Sequence, residues 1–183
     1  MTSANGEATI KTFSGITFSF LDPKPNMVQI DDIAQGLSNV CRFAGQSSEF
    51  YSVAQHSVLV SRLVPKPLAR WGLLHDAAEA YIGDMARPLK RCLPEYKKIE
   101  LGIMRVIVYR FDLEWPEPPD VKSADIYALA LEGARFMAGR EDEYGIANCS
   151  KKVSGMAVNA LVSMKPTEGK RLFMDRFREL FGL

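Results

Sequence analysis

From Leu73 the chain reads Leu-Leu-His-Asp-Ala-Ala-Glu-Ala-Tyr-Ile-Gly-Asp, ending at Asp84. His75, Asp76, Glu79, Tyr81 and Asp84 are groups able to bind a metal or move a proton, set in an otherwise apolar segment. A carboxylate or histidine buried among leucines without a partner costs several kcal/mol. A divalent cation would offset that cost. Two further candidates stand apart in sequence: His56, within Ser52–Ser57, and Asp125, in the run from Lys122 to Ala130. The chain has only two histidines, His56 and His75, so any ion it holds must be completed by carboxylates.

Helical spacing would bring these groups together. Trp71, Leu74, Ala78 and Ile82 recur at three- and four-residue steps, which predicts a helix opening at Pro67 or Leu68 and ending beyond Tyr81. Glu79 follows His75 by four residues and Asp76 by three, so the three would be neighbours on that helix. His75 and Asp76 diverge by about 100° around the axis, and both can reach an ion in a cleft beside it. Val53, His56, Val60 and Leu63 form one stripe of an earlier helix starting near Ser52, with His56 on the apolar face. A later helix, Val121 to Met137, carries Asp125.

The remaining chain reads as scaffold. Partial alternation over residues 8–21 around Ser14-Gly15 predicts a β-hairpin. Asp31-Asp32 is the expected cap of a helix carrying Ile33, Leu37 and Val40. Gly83 to Pro88 reads as a turn containing Asp84, Pro88 to Leu93 as a short helix, and Tyr96 to Phe111 as a long one. Trp115-Pro116-Glu117-Pro118-Pro119 cannot be helical. Residues 139–151 read as a polar loop, followed by helices near Ser154–Met164 and Thr167–Phe181. The expectation is a mainly α single domain over residues 1–183, a helical bundle with a small N-terminal β-hairpin.

Composition narrows the classes. The chain has 23 basic and 22 acidic residues, a balance without the basic excess of a nucleic-acid-wrapping protein. Cys41, Cys92 and Cys149 are odd in number and lack a CxxC pair, which argues against a disulfide framework and a thiolate zinc site. No basic start followed by an apolar run resembles a signal peptide, and no apolar run approaches the roughly 20 residues of a membrane helix. The reading is a cytoplasmic protein with no membrane and no nucleic acid among its partners.

His56, then His75-Asp76, then Asp125, in that order, resembles the HD-domain metal-dependent phosphohydrolases. Ser52-Val53-Ala54-Gln55-His56-Ser57 is similar to that family's first ligand helix. His75-Asp76-Ala77-Ala78-Glu79 with Gly83-Asp84 is similar to the bacterial 5′-deoxynucleotidases and their phage relatives, and Lys122-x-x-Asp125 to the final ligand motif. The resemblance spans roughly residues 30 to 135. It implies an HD-type bundle in which His56, His75, Asp76 and Asp125 bind one divalent metal (Zn, Co, Mn or Mg), with further Mg arriving on the substrate. It also implies that Glu79 and Asp84 serve water activation and proton transfer, and that Arg42 holds a phosphate. Those enzymes carry Trp after the arginine, where this chain has Phe43. Related enzymes assemble as dimers or hexamers, so a homo-oligomer is expected.

The residues support the same chemistry. A bound cation lowers the pKa of its water from about 15.7 towards roughly 7 and polarises a phosphoryl oxygen. Glu79, one turn away, would orient or deprotonate that water, and Asp84 would protonate a leaving oxygen. Phosphoryl transfer depends mainly on positioning and charge neutralisation. Arg42, Lys90, Lys97 and Lys122 are the candidate phosphate clamps, with Lys122 foremost because it lies one turn before Asp125. Phe18, Phe20 and Phe43 are candidates for stacking on a base. The hairpin, the Arg-Phe-Ala-Gly-Gln loop and the short chain are similar to a phage branch that converts dATP to deoxyadenosine and triphosphate. The expectation leans to that triphosphohydrolase, because the extra lysines suit a longer phosphate chain. A 5′-deoxynucleotidase acting on dNMPs stays open, as does a catalytically silent nucleotide-binding or interaction module.

Overall fold

The computed structural model describes residues 8–137 and 155–183 and is mainly helical, with a two-stranded antiparallel sheet near the N-terminus. Strands β1 (Thr9–Lys11) and β2 (Thr17–Ser19) pair Ile10 with Phe18 across a turn that Gly15 closes at φ 85°. The helices follow as α1 (Ile30–Asn39), α2 (Val53–Leu63), α3 (Ala69–Leu74), α4 (Glu79–Ile82), α5 (Arg87–Arg91), α6 (Pro94–Arg110), α7 (Pro119–Phe136), α8 (Gly155–Asn159) and α9 (Pro166–Phe181). The polar loop expected at 139–151 and the first residue of the helix expected at Ser154 lie outside the described residues. Among the described residues, no helix is long and apolar enough to cross a membrane.

Helix α2 is the axis of the core. It packs against α1, α3, α7 and α9, and Val53 to Val58, Val60 and Ser61 are all buried. A helix enclosed on nearly every side belongs at the centre of a bundle. Its start is specified locally. The Ser52 hydroxyl accepts from the Gln55 backbone N–H, and the Gln55 side chain accepts from the Ser52 N–H, both at 3.3 Å. That capping box satisfies two otherwise orphaned donors.

Two glycines set how closely the surrounding helices approach. A Cβ on Gly72 would lie 2.9 Å from the Ser61 Cα, so α3 rests directly on the backbone of α2. A Cβ on Gly36 would lie 2.7 Å from the Ala80 Cα, which seats α4 against α1. Leu73 and Leu74 are wholly buried between these contacts. Each contributes about 1.5–3 kcal/mol by leaving water. At the far end, Phe173 and Phe177 of α9 face inward, and Phe177 stacks on Phe181 at 4.2 Å between centroids. The aromatic C-terminal helix therefore packs internally.

Several local expectations are corrected: Pro119, expected in a non-helical connector, opens α7, and the helix expected near Ser154–Met164 is α8, which ends at Asn159. Asp31 and Asp32 lie within the first turn of α1, after Gln29 at the cap position. Asp32 instead accepts from the Ser14 N–H at 2.6 Å and the Ser14 hydroxyl at 2.8 Å, pinning the hairpin turn to α1. The single helix expected from Pro67 past Tyr81 is divided. A 3-10 turn at Lys66–Leu68 leads into α3, and a tight stretch at 75–78 separates α3 from α4. There the backbone bonds shorten to three-residue steps: Ala77 to Leu74, Glu79 to Asp76, Ala80 to Ala77 and Tyr81 to Ala78.

Candidate metal centre

Three segments bring the expected ligands together. α2 supplies His56, the tight stretch after α3 supplies His75 and Asp76, and α7 supplies Asp125. One donor atom each from His56, His75 and Asp125 lies within 4.8 Å of the others, and all three residues are buried. The Nε2 atoms of His56 and His75 are 3.2 Å apart, and Asp125 Oδ1 is 3.3 Å from His56 Nε2. Asp76 Oδ2 lies 3.2 Å from His75 Nε2 and 3.4 Å from His56 Nε2. Donors bonded to one ion at about 2.0–2.2 Å are separated by about 2.8–3.6 Å in octahedral or tetrahedral arrangements. These four separations fall in that window, and His56, His75 and Asp125 could together hold one metal ion, with Asp76 within 3.4 Å of both histidines.

The outer nitrogens of both rings explain why the donors face inward. His75 Nδ1 is 2.9 Å from the Gly72 carbonyl, which can only accept, so Nδ1 carries the proton. His56 Nδ1 is 2.7 Å from Glu132 Oε1. Burial disfavours an ionised Glu132, but the charges of His56 and Arg42 outweigh it and hold its carboxyl below the ordinary range. The Glu132 carboxylate therefore accepts from Nδ1. Both Nε2 atoms are left facing each other and carboxylate oxygens, where a proton or a cation can sit. Burial and Arg42 oppose a charge on His56, yet Glu132, Asp125 and Asp76 push its pKa well above the ordinary value. This spot strongly favours positive charge, and a divalent cation would meet that demand with two charges and shared donors.

Glu79 and Asp84 sit beside the cluster. Glu79 is 5% exposed, its Oε1 lies 3.8 Å from Lys90 Nζ, and its Oε2 is buried with no hydrogen-bond partner among the described residues. Burial, then Asp76 and Asp84, push the Glu79 carboxyl well above its ordinary range. Burial likewise raises Asp84, with Arg42 opposing and Asp76 adding to the shift. Arg42 is buried and places Nη1 3.6 Å from Asp84 and Nη2 3.1 Å from Glu132. Burial works against its charge, but Glu132, Asp84, Asp76 and Asp125 together hold it firmly protonated.

Burial also works against ionised Asp76 and Asp125. His75 and His56 outweigh it at Asp76, and His56 does so at Asp125, so both carboxyls lie well below the ordinary range. The second oxygen of Asp125 accepts from Arg87 at 2.6 Å and Lys122 at 2.7 Å.

The expected substrate contacts divide. Arg42 and Lys122 adjoin the cluster, as does Lys90, which bridges Glu79 and Glu100. Lys97 is exposed on α6 and, among the described residues, belongs to none of the ion pairs around the cluster. Phe18 is corrected: it is wholly buried and stacks on Tyr81 at 4.0 Å between centroids, so it belongs to the core and cannot receive a base. Phe20 packs edge-on against Phe18 and is partly buried. Phe43 follows Arg42 with its backbone in the left-handed region (φ 56°, ψ 30°), as does Ala44 (φ 52°, ψ 31°). Two successive non-glycine residues there cost of order 1–3 kcal/mol each, strain of the kind that collects at functional loops. The 3-10 turn they form, Arg42–Gly45, is clamped at its base where Arg42 N–H donates to the Tyr51 carbonyl at 2.8 Å.

Three residues were not anticipated: Glu132, Arg87 and Glu117. Glu132 lies seven residues after Asp125, two turns along the same helix face, which is a signal present in the spacing. Arg87 opens α5 and reaches Asp125 only through tertiary packing. Glu117, in the proline-rich connector, is raised by burial while the charges of His75 and Lys122 oppose the shift, which places it within electrostatic reach of the cluster.

No family model matches the chain. It is 42% identical over 174 residues to the uncharacterized protein YfdR of Escherichia coli (strain K12), covering 95% of this chain and 96% of YfdR. It is 35% identical over 147 residues to an uncharacterized protein of Rhodobacter capsulatus, covering 73% of this chain and 75% of that one. At that identity and coverage, the chain belongs to the same family as YfdR.

Proposed function

We propose that the protein is a metal-dependent phosphohydrolase of the HD-domain superfamily that acts on deoxynucleotides and cleaves dATP or another dNTP to deoxynucleoside and triphosphate. The observation that carries this reading is the cluster of His56, His75 and Asp125, with Asp76 Oδ2 within 3.4 Å of both histidine Nε2 atoms and Glu79 and Arg42 alongside. A divalent ion held by His56, His75, Asp76 and Asp125 would polarise a phosphoryl oxygen and acidify water.

The chain's own groups do the rest. The raised Glu79 carboxyl, with one buried oxygen that has no hydrogen-bond partner among the described residues, is suited to take a proton from water and release it. Asp84, also raised, supplies a proton to the departing oxygen. Arg42 gives Nε and Nη2 to Glu132, and its Nη1, 3.6 Å from Asp84, would turn to a phosphoryl oxygen when Asp84 gives up that contact. Arg87 and Lys122 at Asp125, with Lys90 beside Glu79, add the positive charge a triphosphate needs.

One observation favours a second reading, a 5′-deoxynucleotidase. Arg42 is buried, whereas Arg87 and Lys122 are about half exposed, and one buried cation suits one phosphate. Product analysis separates the two. The protein loaded with Mg, Mn, Co or Zn is supplied with each dNTP and dNMP, and products are resolved by ion exchange. Triphosphate and deoxyadenosine from dATP are expected. Inorganic phosphate from dNMPs alone would move the protein to the nucleotidase reading. No turnover with any of them overturns the enzyme assignment and leaves a silent nucleotide-binding or interaction module.

A further inference from the structure

Glu132 is wholly buried, and its two oxygens have different partners. Oε1 is 2.7 Å from His56 Nδ1. Oε2 accepts from Arg42 Nη2 at 3.1 Å and Nε at 3.3 Å. We propose that Glu132 is a positioning residue with two separable roles: Oε1 fixes the tautomer of His56 so that Nε2 faces the ion, and Oε2 clamps the Arg42 guanidinium so that Nη1, 3.6 Å from Asp84 Oδ2, is held for a substrate anion that displaces that contact. This inference rests on the metal-centre reading above.

The chemistry requires a carboxylate at this position. His56 Nδ1–H and Arg42 are both donors, so the group between them must accept on two sides at once. Glutamate does so with two equivalent oxygens. Glutamine cannot, because an oxygen turned to His56 leaves its amide N–H groups against Arg42, and the reverse turn sets them against the ring. The register on α7 adds rigidity, since Asp125 and Glu132 are two turns apart on one face. One helix thereby supplies a ligand and holds another in place. Carboxylates behind metal-binding histidines orient the ring, and their loss typically weakens metal binding by about 10–100-fold. Here the same carboxylate also grips the anion-binding arginine, so metal retention and anion affinity share one support.

Nitrogen-15 NMR on the wild-type protein tests the first role without a variant, because the chain has only two histidines. With Zn2+ added, His56 is expected to keep its proton on Nδ1 while its Nε2 resonance moves. Zinc ligation with the proton on His56 Nε2 overturns the inference alone. A spectrum in which zinc moves neither imidazole overturns the metal-centre reading and the inference with it.

Glu132→Gln tests both roles together. Co2+ affinity, read from its visible absorption, should fall about 10-fold or more. Inorganic phosphate binding to the cobalt-saturated variant should also weaken by about 10-fold or more. A residue that merely supports the fold would lower the melting temperature and leave both affinities unchanged well below it. Affinities within about twofold of wild type in folded Glu132→Gln overturn the proposal, and a cobalt effect without a phosphate effect overturns the Arg42 role.

Discussion

His56 and His75 hold their Nε2 atoms 3.2 Å apart while each donates its Nδ1 proton elsewhere. Two ring nitrogens so placed among carboxylates attract positive charge, a proton on His56 or a cation shared between them, and this is the physical content of the candidate site. His75→Ala and Asp76→Ala should each lose metal and turnover together, read as metal content after gel filtration. Full occupancy with normal turnover in either variant would remove that residue from the ligand set. Glu79→Gln should keep the metal and lose turnover by about 10²–10⁴-fold, the usual contribution of a positioned acid or base. A rate within threefold of wild type would exclude Glu79 from the proton transfer. Acid sensitivity has a definite sign. Glu132 and Asp125 are held below their ordinary carboxyl range in the folded state. Their stabilisation is complete above the unfolded values, 4.5 for Glu132 and 3.8 for Asp125, and is lost as pH falls towards the folded ones. The urea midpoint of the metal-free protein should fall steeply below about pH 4.5, and Glu132→Gln should flatten that slope.

At the scale of elements, two contacts position the ligands. Gly72 lets α3 lie on α2, and its carbonyl holds His75. Gly72→Ala would gain about 1 kcal/mol of helix propensity. The added Cβ would meet backbone at 2.9 Å, which cannot rotate away, and the resulting shift costs about 1–3 kcal/mol. The net expectation is destabilisation together with weaker Co2+ binding, because the displaced α3 carries His75 with it. A variant that melts at or above the wild-type temperature would show that the two helices can part without loss. The loop after Arg42 has the opposite sign. Ala44 is in the left-handed region, where glycine is free of strain, so Ala44→Gly should raise stability by up to about 1 kcal/mol by urea titration.

The elements also show how much was legible beforehand. The helix carrying His56 could be placed to within a residue, because the stripe of Val53, His56, Val60 and Leu63 puts its start near Ser52 and the helix begins at Val53. The break between α3 and α4 could not. Apolar spacing continues through Trp71, Leu74, Ala78 and Ile82, and residues at both ends of the break keep right-handed helical angles. Only the hydrogen bonds tighten to three-residue steps, and periodicity does not report which carbonyl a given N–H chooses. Asp32 likewise carries a capping residue's signature but bonds Ser14, a partner 18 residues away.

For the whole molecule, the proposed ligands tie three distant segments together: α2, the stretch after α3, and α7. An ion bound there and not by the unfolded chain stabilises by mass action, about 2.7 kcal/mol at a free concentration 100 times Kd. For a chain of this size that is roughly 5–11 °C in melting temperature. Calorimetry with Co2+ and then with chelator should show that shift and its reversal, and a melting temperature indifferent to both would argue against a structural link between ion and core.

By itself, the sequence determined the kinds of group available: two histidines, acidic residues inside apolar helices, and a near-neutral surface. It also determined most helix positions, because caps, prolines and apolar periodicity act over a few residues. Tertiary structure alone decided which atoms meet. It turned Phe18 into core against Tyr81, brought Arg87 to Asp125 across 38 residues, and set Glu132 between His56 and Arg42, 76 and 90 residues away. The reason is physical. Local preference governs backbone angles, whereas the partner of a buried charge is chosen by whichever chain segment packing delivers within about 3 Å of it.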